Sequence, residues 1–224
     1  MKILIVAAHP DDEILGCGGT VARLIEEGYE GYTLLLGEGI TSRYSKEERK
    51  KQKSEIDKLK KQMIDATKKI GIKKVFDFDF PDNQFDSIPL LNIVKTIEQV
   101  KKEISPDIIF THYKDDLNID HRITYDAVIT ASRPMENEPV TTIYSFEVPS
   151  STEWRYPLCY SPNVFFDISK TIKKKLDAMS LYKSELKKYP HPRSLEAIEV
   201  YAKTWGIKVG LKYAEAFKIV RSNL

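Results

Sequence analysis

Cysteine and net charge are both scarce in this chain of 224 residues. It has only two Cys, and 35 Lys and Arg stand against 33 Asp and Glu. Cys17 and Cys159 are too few and too far apart for a disulfide framework or a clustered thiolate site. We therefore expect a reducing, cytoplasmic location. The balanced charge gives no broad basic surface, which argues against a nucleic-acid partner.

Long apolar runs are also missing. The stretch M-K-I-L-I-V-A-A at the start runs directly into acidic residues. It is too short for a signal peptide or a membrane span, so the sequence predicts a buried first strand and no membrane-spanning segment. A chain of this length suits a single domain with one core, and we expect residues 1–224 to form it.

Short apolar runs alternate with segments of helical periodicity. The runs predict five strands at residues 2–7, 32–36, 74–78, 107–111 and 141–146. The first helical segment follows the first strand and ends at Gly28. The others cover 45–70, 90–103 and 121–132. The charged segment 45–70 is typical of a solvated amphipathic helix rather than an interaction arm. Strands alternating with helices predict an α/β, Rossmann-like doubly wound fold, with a mostly parallel sheet and helices on both faces.

The composition changes near residue 147. Proline, serine and aromatic residues dominate residues 147–163, and helical segments follow near 168–187 and 194–206. This change predicts a core at about 1–146 and a C-terminal cap at about 147–224 of the same domain.

Three of the four His follow predicted strands. His9, Asp11 and Asp12 come after the first strand, and His112 and His121 come after the strand at 107–111. Because ligands bind at the carboxyl ends of strands in open α/β sheets, these groups are expected to converge. Imidazoles together with carboxylates suit Zn²⁺.

Two His and one Asp would leave one position of a tetrahedral ion open, which is typical of a catalytic site. His9 and Asp12 are three residues apart around a turn that Pro10 stiffens, so both can point at one ion. A neighbouring carboxylate that is not a ligand can take a proton from water. Asp11 fits this role.

The motif A-H-P-D-D-E at 8–13, followed by the D-H pair at 120–121, resembles the PIG-L/LmbE-like N-acetylglucosaminyl deacetylases. The segments G-E-G-I-T-S-R (37–43), H-P-R-S (191–194) and Y-A-E-A-F (213–217) are also similar to that family. The resemblance implies that His9, Asp12 and His121 bind zinc and that Asp11 is the general base. It also implies a small-molecule substrate, an N-acetylated amino sugar or its conjugate.

One position departs from the family pattern. Many members have His three residues before the last zinc ligand, where this chain has Asn118. Asn can donate a hydrogen bond to an oxyanion but cannot deliver a proton. His112 is one candidate for the missing acid, and the return of the proton by Asp11 is the other.

The remaining candidates each have a structural alternative. Substrate-binding candidates, which could equally be structural, are Arg43, Trp154 and Arg193. Asp116 and Asp120 could orient a zinc-bound imidazole or simply cap a helix, and Arg122 could pair with them. His191 is interpreted as a loop residue, and Cys17 as a small core residue.

Three other functions compete with hydrolysis. Gly16, Gly18 and Gly19 could indicate dinucleotide binding, but they lie inside the predicted helix instead of at the strand-to-helix turn. A receiver-like phosphoacceptor domain would be about a hundred residues shorter. A zinc- or carbohydrate-binding protein with impaired catalysis is favoured only by Asn118. The oligomeric state stays open, a homo-oligomer included.

Overall fold

The computed structural model describes residues 1–44, 48 and 52–223, and within them a single seven-stranded sheet. The strands are β1 (Lys2–Ala7), β2 (Glu30–Gly37), β3 (Lys74–Phe80), β4 (Ile108–His112), β5 (Thr142–Phe146), β6 (Val164–Asp167) and β7 (Ala214–Ser222). Their spatial order is β3-β2-β1-β4-β5-β7-β6. The strands from β3 to β5 in this order pair in parallel, and β7 is antiparallel to both β5 and β6.

The helices are α1 (Asp12–Glu26), α2 (Lys53–Lys69), α3 (Leu90–Ile104), α4 (Ile119–Ala131), α5 (Ile172–Met179) and α6 (Leu195–Val209). They cover both faces of the sheet, so the prediction of a mostly parallel α/β fold of Rossmann type is confirmed. Residues 45–47 and 49–51, which belong to the helix predicted over 45–70, lie outside the described residues.

Strand β1 lies in the middle of the core. Ile3 and Ile5 pack with α1 and α2 on one face, and Leu4 and Val6 pack with α3 and α4 on the other. All four side chains are fully buried. Each such burial stabilises the fold by about 1.5–3 kcal/mol. The continuous apolar run of β1 is therefore the expected pattern of a strand covered on both faces.

The last third of the chain does more than cover the core. Helices α5 and α6 lie within the two predicted helical regions or extend one by a few residues, but β6 and β7 were not predicted. Both strands join the same sheet, so this region completes the fold. The assignment of the whole chain to one domain stays a prediction.

No helix in the described part of the chain is long and apolar enough to cross a bilayer.

Candidate metal centre

The ends of two neighbouring parallel strands, β1 and β4, bring the candidate residues together. The turn after β1 carries His9 and Asp11, and α1 begins at Asp12. Strand β4 ends at His112, and the turn after it leads to His121 in the first turn of α4. Asn118 caps the N-terminus of helix α4, because its side chain accepts a hydrogen bond from the backbone N–H of Asp120 at 2.8 Å.

His9, Asp12 and His121 form a buried set of donors whose ligand atoms all lie within 4.8 Å of one another. Oδ2 of Asp12 is 3.2 Å from Nε2 of His121 and 3.5 Å from Nδ1 of His9. The other oxygen of Asp12 is buried without a hydrogen-bond partner in the described residues. An unpartnered carboxylate oxygen beside two imidazoles fits a divalent cation such as zinc.

The charges of this set favour a bound cation. Burial lowers the pKa of His9, but hydrogen bonds to Asp12 and Asp120 outweigh it and raise the value to about 10. Burial also opposes protonation of His121, yet Asp12 and Asp116 raise its pKa to about 9. The protein thus surrounds both rings with negative charge. A metal ion would supply the positive charge that the protons otherwise provide.

Two further carboxylates hold the imidazole rings. Oδ1 of Asp116 lies 3.1 Å from Nδ1 of His121, and Oδ2 of Asp120 lies 2.9 Å from Nε2 of His9. Backbone N–H groups of Asn83 and Phe85 donate to the two oxygens of Asp120, at 2.6 and 2.9 Å. The hydroxyl groups of Ser151 and Thr152 donate to Asp116. Both carboxylates therefore lie where they can fix ring orientation.

A second donor group shares one residue with the first. His9, Asp82 and Asp120 also have ligand atoms within 4.8 Å of one another. Here, however, Asp120 already accepts three hydrogen bonds, and Asp82 accepts two from the backbone and hydroxyl of Ser42. The group around Asp12 has the unpartnered oxygen, so it is the better candidate.

Asp11 is held beside the donor set on an unusual backbone. Its φ of 99° lies in the left-handed region, which is uncommon for a residue other than glycine. Its N–H donates to Glu13 at 3.0 Å, and Oδ2 accepts from Nη1 of Arg193 at 3.1 Å. Burial raises the pKa of Asp11 well above its ordinary value, although Arg193 acts in the opposite direction. A buried carboxylate with a raised pKa is suited to accept a proton.

Asp11 faces a small polar cleft of about 100 Å³. Its lining includes His9, Asp11, Ser42, Arg43, Asp82, Asn83, Asn118, Glu185 and Arg193. Glu185 accepts a hydrogen bond from Arg43 at 2.5 Å and lies 3.5 Å from Arg193, so it links the two arginines. Nδ2 of Asn118 donates to Asn83 at 3.0 Å at the same opening.

His112 lies outside that lining. Its side chain is fully buried, and its ring stacks on His121 with centroids 3.9 Å apart. Its Nε2 accepts the N–H of Ala8 at 2.9 Å. Burial and the neighbouring His121 hold its pKa well below the usual range. The structure places His112 behind the donor set, which is a poor position for a proton donor to substrate.

Two other candidate residues lie outside the lining of the cleft. Trp154 is 44% exposed, and its ring meets that of His191 in an edge-on arrangement with the centroids 5.8 Å apart. Arg122 donates to the backbone carbonyls of Asp116 and Leu117, and its pairing with the carboxylates of Asp116 and Asp120 stays a prediction. These two hydrogen bonds stabilise the turn before α4.

Sequence reasoning missed four residues of this region, which are Glu13, Asp82, Asn83 and Glu185. Asp82 and Asn83 follow the end of β3, so the strand-end rule that found His9 and His112 could have found them. Glu13 is part of the first motif and accepts a hydrogen bond from Tyr182 at 2.5 Å. Glu185 has no signal in the sequence.

The structure does not support the alternative function of dinucleotide binding. Gly16, Gly18 and Gly19 all lie within α1, and the turn before it consists of His9, Pro10 and Asp11. Cys17 is fully buried in the core, as predicted.

Comparison with known proteins gives relatives along most of the chain. A Bacillus cereus protein named "Probable N-acetyl-alpha-D-glucosaminyl L-malate deacetylase 2" is 27% identical over 186 residues, which cover 82% of this chain and 83% of the relative. A 4-oxalmesaconate hydratase of Pseudomonas putida is 28% identical over 193 residues, covering 79% of this chain and 70% of the relative.

A solved structure and a family model agree with this result. The crystal structure of the conserved protein TT1542 from Thermus thermophilus has a TM-score of 0.76 and 26% identity, over 99% of this chain and 95% of that one. The family model described as "GlcNAc-PI de-N-acetylase" matches residues 4–132, which contain both strand-end motifs. The chain therefore belongs to the PIG-L family.

Proposed function

We propose that this protein is a zinc-dependent hydrolase that removes the N-acetyl group from an N-acetylglucosamine-type amino sugar or its conjugate. The observation that carries the proposal is the buried set His9, Asp12 and His121 beside a separately held carboxylate, Asp11. Of these residues, His9 and Asp11 line one polar cleft.

Zinc held by His9, Asp12 and His121 would polarise the acetyl carbonyl and acidify a water molecule. Asp11 accepts the proton of the attacking water, because its raised pKa makes it a stronger base than an exposed aspartate. Arg193 fixes the direction of that carboxylate through Nη1. Asn118, at the rim of the cleft, has an amide that can donate to the developing oxyanion.

The leaving amine must receive a proton. His112 is neutral, buried and turned toward Ala8, so its position favours Asp11 as the donor. Asp11 would then return to the amine the proton that it took from water. This use of one carboxylate as base and then acid also makes a histidine at position 118 unnecessary.

The polar cleft suits a sugar. Arg43 and Arg193 line it together with Asp82 and Asn83, and these groups offer donors to the oxygens of sugar hydroxyls and acceptors for their O–H groups. Trp154 lies farther out, where it could contact only a substrate that extends beyond the cleft. The name of the Bacillus cereus relative includes an N-acetylglucosaminyl group, which agrees with this substrate class.

The test is acetate release by zinc-loaded protein from a panel of N-acetylglucosamine derivatives. Asp11→Asn is expected to lower the rate by about 10²–10⁴-fold while zinc stays bound. Asp115→Asn is the matched control, because Asp115 follows the neighbouring parallel strand β4 at the same edge of the sheet, but pairs with Lys114 and does not line the cleft. Full turnover by Asp11→Asn would contradict the assignment of the base.

Two alternative functions would release no acetate in this assay. A binding protein with impaired catalysis, which Asn118 would suggest, binds zinc and sugar but releases no acetate. A hydratase like the Pseudomonas putida relative would add water to 4-oxalmesaconate and would also release no acetate. Absorbance of 4-oxalmesaconate distinguishes these two outcomes.

A further inference from the structure

The turn after strand β5 contacts both halves of the candidate site. It consists of residues 150–153, Ser-Ser-Thr-Glu, which we call the serine turn. Because β5 is the parallel neighbour of β4, the serine turn lies at the edge of the sheet where β4 leads to His121. Ser151 and Thr152 are only 5% and 3% exposed. Buried hydroxyl groups need hydrogen-bond partners, and those of this turn find them in the site.

One side of the serine turn holds a metal ligand in place. The hydroxyl of Ser151 donates to Oδ1 of Asp116, and that of Thr152 donates to Oδ2. Oδ1 of Asp116 also lies 3.1 Å from Nδ1 of His121 and accepts the N–H of Asn118 at 2.8 Å. The orientation of the His121 ring therefore depends on where the turn places these two hydroxyl groups.

The other side of the serine turn holds the proposed base. The hydroxyl of Ser150 accepts a hydrogen bond from Nε of Arg193 at 2.8 Å. Nη1 of the same guanidinium donates to Oδ2 of Asp11 at 3.1 Å. A planar guanidinium with two of its nitrogen atoms engaged has little freedom to rotate. The position of Ser150 therefore sets the direction from which Arg193 reaches Asp11.

The side chain of Glu153 fixes the backbone of the turn. Its Oε1 accepts the N–H of Ser150 at 2.6 Å, and its Oε2 accepts the N–H of Ser151 at 3.2 Å. Ser150 has a φ of 70°, in the left-handed region that residues other than glycine rarely adopt. Oε1 of Glu153 also accepts the hydroxyl of Tyr201 at 3.1 Å, which ties the carboxylate to α6. Both carboxylate oxygens therefore hold the turn in this conformation.

We propose that Glu153 is a positioning residue that orients the base and one metal ligand together through the serine turn. Its hydrogen bonds reach only the turn and α6 in the part of the chain that the structure describes. It therefore acts on Asp11 through one serine and on His121 through the next. This inference rests on the proposed function and adds a residue outside the cleft on which both halves of the site depend.

The principal variant is Glu153→Gln. It keeps the size of the side chain but turns an NH2 group toward one of the two backbone N–H groups, which it cannot accept. Glu199→Gln is the matched control, because Glu199 lies on α6 and also accepts a tyrosine hydroxyl, that of Tyr213 at 2.7 Å. Its other partner is Lys203, so its contacts are away from the serine turn.

Zinc affinity is measured by competition with a chromophoric chelator, and kcat by acetate release at saturating zinc. Glu153→Gln is expected to weaken zinc binding by about tenfold and to lower kcat by about tenfold, while circular dichroism shows that it is folded. Glu199→Gln is expected to change neither value. A merely structural role would leave the zinc affinity of the folded variant unchanged, and that result would overturn the proposal.

Two variants that each lack one hydroxyl separate the two routes. Ser151→Ala is expected to weaken zinc binding by about tenfold, and Ser150→Ala to lower kcat by about tenfold at unchanged zinc affinity. In an Asp11→Asn background, Ser150→Ala should have no further effect on kcat, because its route ends at the base. An equal further loss in that background would contradict the route through Arg193 and with it the proposal.

Zinc binding also separates this proposal from the proposed function. If the wild type releases no acetate from any N-acetylglucosamine derivative, the proposed function is wrong, but the zinc affinities can still be compared. Weaker binding by both Glu153→Gln and Ser151→Ala, with wild-type binding by Glu199→Gln, would then support the positioning role. Equal zinc affinity in the wild type and all three variants would overturn it even where acetate is released.

Discussion

At the scale of single residues, two adjacent aspartates have opposite surroundings. Asp12 lies between two imidazoles, which hold its pKa well below the usual range although burial acts the other way. Asp11 is equally buried, and burial raises its pKa well above the ordinary value although Arg193 acts in the opposite direction. The environment thus favours the charged form of one carboxylate and the neutral form of the other. Neighbours in sequence acquire separate tasks because the turn sends their side chains in different directions.

The donor set can be tested by zinc content. His9→Ala, Asp12→Ala and His121→Ala are each expected to lose stoichiometric zinc after gel filtration, because three protein ligands are the minimum for a catalytic site. Asp82 contacts His9 but is not part of the donor set, so we expect Asp82→Asn to lower the affinity by about 10–100-fold at most, with full zinc content when the metal is supplied.

Atomic absorption on the four purified variants gives the result. One zinc per chain in all three alanine variants would contradict the site. Loss of zinc from Asp82→Asn with retention in Asp12→Ala would move the ion to the second donor group, His9 with Asp82 and Asp120.

The sequence predicted which residues lie close together, but not the orientation of each side chain. His9, Asp11, Asp12 and His121 could be named because strand ends converge and because the first motif is specific. His112 follows the same rule, yet its ring turns into the core and accepts the N–H of Ala8. Ring orientation depends on packing against His121 and Phe146, which a sequence pattern does not encode.

At the scale of elements, helix α1 approaches strand β5 very closely. A Cβ atom on Gly16 would lie 2.3 Å from the ring of Phe146, so the helix needs glycine there. At Gly18 a Cβ would meet only Ile14 of the same helix, at 3.3 Å or more. The close approach keeps the start of α1, and with it Asp12, against the sheet.

Gly16→Ala is therefore expected to lower the free energy of unfolding by about 1–3 kcal/mol, through overpacking. Gly18→Ala is the control and should change it by less than about 1 kcal/mol, because alanine is the better helix former and the space is nearly sufficient. Urea denaturation measures both. Equal effects of the two substitutions would contradict this account of α1.

Whether a strand could be predicted from the sequence depended on its length and its pattern of apolar residues. Strands β1 to β5 were found near their true positions because each contains a continuous apolar or alternating run. Strand β6 has only four residues, all half-buried. Strand β7 contains Glu215, whose burial is made tolerable by a lysine far away in sequence. A local pattern cannot show such a partner.

At the scale of the whole molecule, a buried ion pair joins the last strand to two helices. Lys175 of α5 contacts Glu215 of β7 at 2.6 Å and the carbonyl of Leu15 in α1 at 2.7 Å. Glu215 also accepts backbone N–H groups of Gly19 and Thr20, at 3.0 and 2.6 Å. Three distant parts of the chain therefore depend on one another through two side chains.

Lys175→Met is expected to destabilise the protein by about 3–5 kcal/mol, because it leaves the Glu215 carboxylate buried without its cation. Lys173→Met, on the exposed side of the same helix, should cost no more than about 1 kcal/mol. Thermal unfolding compares them. The double change Lys175→Met with Glu215→Gln should recover part of the loss; a further loss would contradict the charge argument.

Stability should also depend on pH through Glu147, which accepts a hydrogen bond from Trp205 of α6. Burial raises the pKa of Glu147 from 4.5 to about 7, even though Trp205 acts in the opposite direction. The folded state thus prefers the neutral acid. Its contribution is fully present below pH 4.5 and is lost as the pH rises through about 7.

Glu147→Gln removes this titration. At pH 8 the variant should be more stable than the wild type by about 1–3 kcal/mol, and near pH 4.5 the two should be equal. Urea denaturation across this pH range measures the difference. A constant difference at every pH would show that Glu147 has an ordinary pKa.

The position of β7 between β5 and β6 has a consequence for synthesis on the ribosome. Both neighbours precede β7 in the chain, so each emerges from the exit tunnel before its partner exists. Until residues 214–222 are translated, β5 keeps an open edge and β6 has no strand to pair with. An open edge can template aggregation. The nascent chain thus passes through a stage in which its own sheet leaves this side unpaired.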